Sequence, residues 1–238
     1  MPSSESTAHR LDDESGSTAI DLALLLLADA RLPSGGHALS AGLEPAVLAG
    51  LTADQVPGYL SARLRTVALL DAATTVLACR GTHPAKQVAR AWSARTPSHV
   101  LREASLLSGR GLARVLASVE PTGTRAESAR RWLGEAGPHP RPLVLGALAA
   151  ALGLDPRRAA MLSAYDDVQT VAAAALKLLP LDPLTTVGWS LATRPAVTAL
   201  VARATQVEDP DDLPALGAPQ LELWHHAHAT TTRRLFRA

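Results

Sequence analysis

The stretch from Asp155 to Pro180 leaves this chain little choice of local structure. Asp155 is an N-cap residue type, and Pro156 follows at the first helical position, where a missing N–H costs little; Pro180 then sets the end. One helix must run between them, ~36 Å long at ~1.5 Å per residue. Leu162, Tyr165, Ala172, Leu176 and Leu179 share a face of it, which predicts the central helix of a bundle. Gln169 lies on that same face. A buried amide needs partners, so Gln169 is expected to tie neighbouring helices together.

The remainder of the chain reads the same way. Alanine and leucine dominate, aromatic residues make up only 3%, and no alternating β-branched run is bounded by hairpin turns. The expected fold is all-α: a single compact bundle of roughly eight to ten helices in one domain over residues 18–238. Residues 1–17 are rich in Ser, Asp and Glu, and are expected to form a disordered tail. Asp54 is expected to cap a helix that holds Pro57 in its first turn and continues to about Arg80. Further helices are predicted over residues 84–95, 98–118, 126–135 and 142–153, separated by Pro and Gly clusters.

Charge and cysteine content exclude several classes of function. Lys and Arg number 23 against 22 Asp and Glu, so no strong field gathers nucleic acid or an anionic membrane. The single cysteine, Cys79, cannot form an internal disulfide or a CxxC zinc site, which suits a reducing, cytoplasmic setting. The longest uncharged apolar run, Leu143 to Leu154, falls short of the ~20 residues that span a bilayer. No GxxxxGK[ST] loop, Gly-x-Ser-x-Gly elbow or HExxH helix is present, so no enzyme is expected. Glu44 reads as a structural ion-pair member or an exposed residue. His83, His99 and His139 read as surface residues. His225 and His228 fall one turn apart if their segment is helical, but two imidazoles make an incomplete site, so they are weak metal candidates.

Four ordered segments carry more specific information. From Leu24 to Gly50, an apolar run stops at Pro33, Gly35 and Gly36 permit a sharp turn, and Ser40, Gly42, Leu43 and Glu44 follow. LREASLLSGRGLARV holds Arg102, Ser105, Gly109, Arg110 and Leu112, with Ser105 and Gly109 one helical turn apart and small enough for close packing. The long helix carries Gln169, the alanines 172–175, Lys177, Pro180 and Leu181. Near the end, His228 precedes Arg234, Leu235, Phe236 and Arg237. Phe236, the only phenylalanine, serves either as a partner anchor or as a plug in the chain's own core.

Taken in order, these segments resemble the UreF family of urease accessory proteins. The resemblance implies an all-α cytoplasmic protein without turnover or cofactor of its own. It implies a homodimer in complex with a UreD (UreH) scaffold and the UreG GTPase, which delivers nickel to the urease apoprotein. By the same resemblance the partner-binding residues are Gly35, Gly36, Ser40, Glu44, Gln169, Lys177, His228, Arg234, Leu235, Phe236 and Arg237. The alternative role is regulation of the GTPase in trans, for which Arg234 and Arg237 are candidates by residue type. His37, Leu39, Ala41 and Ala229 depart from the family pattern, and Pro45 is expected to kink or restart its helix.

Overall fold

The computed structural model describes residues 17–32, 39–119, 124–134, 137–229 and 235–236, and every α-helix or 3₁₀ turn among them is joined by irregular chain with no strand. The helices are α1 (17–28), α2 (Leu43–Leu48), α3 (Val56–Arg65), α4 (Val67–Arg80), α5 (Ala85–Ala94), α6 (His99–Ser118), α7 (Thr124–Leu133), α8 (Arg141–Ala151), α9 (Pro156–Leu178), α10 (Pro183–Ala192), α11 (Arg194–Ala204) and α12 (Pro219–Ala229). The expected disordered tail lies outside the described residues up to residue 16.

The innermost helix is α4, not α9. From Ala68 to Ala78 only Asp71 escapes full burial, because α3, α5, α8, α9 and α11 all pack around it. On α9 the buried positions are mainly small, among them Ala160, Ala164, Val168, Val171 and Ala175. Tyr165 and Leu176, expected in the core, stay 44% and 40% exposed. Alanines let α9 approach its neighbours closely, and that geometry pushes its larger side chains to the rim of the contact.

Close approach also explains two glycines. A Cβ on Gly146 would lie 2.6 Å from Ala78 Cβ and would strike the Thr75 carbonyl, so the α4–α8 crossing requires glycine. A Cβ on Gly109 would collide with the His139 carbonyl, while Ser105 Oγ accepts the Arg141 N–H at 3.0 Å. The small pair on α6 therefore seats the start of α8. His139 consequently lies half-buried, with Nε2 enclosed, and is not the surface residue expected. His83 stays at the surface, its ring Nε2 within 3.0 Å of the exposed Glu208 carbonyl.

Three local expectations are revised. The predicted helix up to Arg80 breaks at Thr66 (φ −123°, ψ −99°); the Thr66 hydroxyl donates back to the Ala62 carbonyl at 2.8 Å, a bond that competes with helix continuation. Asp54 lies inside a 3₁₀ turn, Ala53–Gln55; Thr52 precedes it and donates its N–H to Gln55 Oε1 at 3.0 Å. Pro45 occupies the first turn of α2, where its missing N–H has no intrahelical acceptor to lose, so it neither kinks nor restarts the helix. Asp155 caps α9 as predicted, its carboxylate accepting the Arg158 N–H at 2.8 Å.

Candidate partner-binding surface

The chain enters α2 through two residues with left-handed backbone, Ala41 (φ 53°) and Gly42 (φ 79°). An alanine in that region is strained by ~1–2 kcal/mol, and two side chains hold it there. Tyr59 Oη and Arg63 Nη1 donate to the Ala41 carbonyl at 2.5 and 2.7 Å. Arg63 is in turn gripped by Asp167 of α9, through Nε at 3.0 Å and Nη2 at 2.5 Å. Arg63 is 8% exposed, and burial pushes the Tyr59 phenol up to about 12. This network joins α3, α9 and the turn before α2.

The consequence is the direction of Glu44. It is 3% exposed, and its carboxylate accepts the main-chain N–H of Leu235 at 2.6 Å and of Phe236 at 3.0 Å. Glu44 is thus a buried receptor for the C-terminal segment rather than an exposed residue. Charge-assisted bonds to main-chain amides are about twice as strong as neutral ones. Phe236 is 4% exposed, with Lys177 Nζ 5.1 Å from its ring centroid. Of the two readings of Phe236, the structure shows the plug. Leu235 points the other way and is 73% exposed.

Other expected site residues gather nearby. A cavity of about 100 Å³ is lined by Leu39, Gln169, Lys177 and Phe236 among others, although these residues are far apart in sequence. Gln169 Nε2 donates to Ser190 Oγ at 3.2 Å, which ties α9 to α10 as predicted. Ser40 is fully enclosed, and its carbonyl accepts the Leu43 N–H at 3.0 Å. Gly35, Gly36, Arg234 and Arg237 lie outside the described residues. So do the side chains of His225 and His228, whose backbone belongs to α12. Among the described residues no cluster of His, Cys, Asp and Glu could hold a metal, and no helix is long and apolar enough to cross a membrane.

Sequence reasoning missed a set of partly buried charges beside this surface. Arg63, Asp71, Arg141, Asp166 and Asp167 line a cavity of about 120 Å³ with Ser105. Arg141 Nη2 pairs with Asp166 Oδ2 at 2.7 Å, and Trp92 Nε1 donates to Asp71 Oδ1 at 2.7 Å. Burial pushes the Asp71 carboxyl up to about 6 and raises that of Asp166. The available signal was charge in apolar company: Asp71 interrupts the α4 run, and Asp166 and Asp167 sit side by side in an Ala-rich helix. Such paired charges specify how α3, α4, α8 and α9 register against one another.

A family model described as UreF matches residues 51–192. The chain is also 36% identical over 217 residues to a urease accessory protein UreF of Mycobacterium sp. (strain JLS), covering 90% of this chain and 96% of the relative. The chain belongs to the UreF family. A UreF of Mycolicibacterium vanbaalenii is 35% identical over 219 residues, with the same coverage of 90% and 96%. One from Mycobacterium bovis (strain BCG / Pasteur 1173P2) is 38% identical over 163 residues, 67% of this chain and 74% of that one. The UreF model ends with α10, so it contains Gln169 and Lys177 but neither Glu44 nor Phe236.

Proposed function

We propose that this UreF-family chain is a non-catalytic member of the urease-maturation assembly, joining a UreD (UreH) scaffold to the UreG GTPase so that nickel reaches the urease apoprotein. The reading rests on family membership together with one observation: the C-terminal segment is held at a defined place by Glu44, which leaves Leu235 outward as an apolar contact for the scaffold. A segment already positioned loses less conformational freedom on binding, which favours affinity.

A second face suits self-association. On α10, Leu184, Val187 and Leu191 are 75%, 52% and 59% exposed, at helical spacing along one stripe. The helix, PLTTVGWSLA, carries no charge, and no atom lies within 4 Å of a Cβ built on Gly188. A second copy can meet this stripe about a two-fold axis without burying an unpaired charge. We assign the homodimer contact to it.

The deciding experiment is co-expression with the UreD-type scaffold from the same operon, followed by size-exclusion chromatography with light scattering. A complex formed by the full chain and lost in a version ending before His228 supports the assembly role and places the contact in the C-terminal segment. Separate elution of full-length chain and soluble scaffold defeats the reading.

A further inference from the structure

A groove of about 430 Å³ opens between the end of α4, α7 and α8, and it shares no lining residue with α10 or the C-terminal segment. Its floor is made of alanines, Ala78, Ala129, Ala147 and Ala150. Side chains this small leave room for a larger apolar group to enter and shed its water. One wall is α7, where Arg125, Ser128 and Trp132 recur at helical spacing with Arg131 beside them. Trp132 is anchored, its indole N–H donating to the His83 carbonyl at 2.7 Å. Arg80 is engaged by the carbonyls of Val207 and Thr205. Arg125 and Arg131 differ from it: both are exposed, and neither is hydrogen-bonded or ion-paired among the described residues. No described carboxylate lines the groove.

Two guanidinium forks with donors to offer call for carboxylates or phosphates, each held bidentately. The alanine floor and the Trp132 ring call for a hydrophobic side chain between those anions, and Trp and Arg are the residue types that carry most binding energy at protein interfaces. A nucleic-acid backbone brings phosphates without such a side chain. The Trp132 end also opposes a long polyanion: His83 reaches the Glu208 carbonyl there, and Glu208, Asp211 and Asp212 are all exposed, so negative charge stands just past it. With 23 basic and 22 acidic side chains in the whole chain, the positive character of the groove is local.

We propose that this groove docks a short acidic segment of a partner protein, seating an apolar side chain on the alanine floor and flanking carboxylates on Arg125 and Arg131. This face is separate from the one assigned to the scaffold, so either contact can exist without the other.

The probe is a fluorescein-labelled peptide of Glu-Glu-Leu-Leu repeats, titrated with full-length chain and followed by anisotropy. Wild type is expected to bind it about tenfold more tightly than a charge-matched peptide of Glu alone. R125E/R131E should weaken binding by about tenfold or more, and S128W, which fills the groove without changing charge, by a similar factor. R110E/R114E makes the same charge change on α6 and should shift the affinity by less than about twofold, because exposed charges at a distance are screened. All five positions are exposed, so each variant should keep the wild-type Tm. No binding by wild type, equal binding of the two peptides, equal loss in R110E/R114E, or unchanged binding in S128W would overturn the proposal. Wild-type oligomers that S128W breaks up would assign the groove to a second copy of the chain and overturn it likewise.

Discussion

Glu44 and Phe236 are 192 positions apart in the chain, yet a 3.0 Å hydrogen bond joins the carboxylate of one to the main-chain N–H of the other. Because Leu235 donates its N–H to the same carboxylate, one side chain near the start of the fold holds two residues close to its other end. These two bonds are made to main-chain amides. Side-chain selectivity comes from the Phe236 pocket beneath Lys177.

Replacing Glu44 by Gln keeps one acceptor oxygen and removes the charge. The Glu44→Gln variant should lose about 1–2 kcal/mol in urea unfolding. The Leu235 and Phe236 amides should exchange with solvent far faster than in wild type. Unchanged exchange at those two amides would mean that the tail is held by Phe236 alone.

The strained Ala41 offers the opposite sign. Ala41→Gly relieves a φ of 53° and should gain about 0.5–1 kcal/mol, measured as a raised Tm. Asp167→Asn, by contrast, leaves the Arg63 charge buried without its carboxylate and should cost about 3–5 kcal/mol.

Glycine substitutions should divide by the space each has. Gly146→Ala drives a methyl into the Thr75 carbonyl and Ala78 and should cost about 1–3 kcal/mol through overpacking. Gly188→Ala meets nothing within 4 Å and should stabilise α10 by about 0.5–1 kcal/mol. Thermal unfolding of the two variants beside wild type checks both signs.

Asp71 gives the fold a pH dependence of defined direction. Burial pushes its carboxyl up to about 6, above the ~3.9 of an unfolded chain. Between those values the native state binds a proton that the unfolded state has released, so this group's contribution falls as pH rises from ~4 to ~6. Asp71→Asn retains an acceptor for Trp92 and removes the ionisation. Its stability relative to wild type should improve by about 2 kcal/mol between pH 4 and pH 7, followed by urea titration at each pH. A constant difference across that range would show that Asp71 is ionised in both states alike.

Self-association is checked by Leu184→Glu with Leu191→Glu. Light scattering should report monomer at concentrations where wild type is dimeric, with Tm measured below the dimer dissociation constant unchanged, because both side chains are exposed in the protomer.

The sequence by itself determined the class of fold and most helix limits. Caps, prolines and glycines act within a few residues of themselves: Asp155 and Pro156 start α9 whatever surrounds them. It also carried, in the order of its Gly, Ser, Gln and Arg positions, the likeness to the UreF family. The burial face of α9 was legible only in part: Leu162 and Ala172 are buried as expected, but apolar periodicity ranks positions by hydrophobicity while close packing selects for size, so further alanines went inward and Tyr165 and Leu176 were left at the rim. The role of Glu44 was hidden for a different reason. Two of its partners are the main-chain amides of Leu235 and Phe236, groups which every residue possesses and no sequence pattern marks. Only the tertiary structure could bring the Glu44 carboxylate to Leu235 and Phe236, or set Arg63 against Asp167 across 104 positions, because the cost of burying those groups is offset only where all partners arrive together.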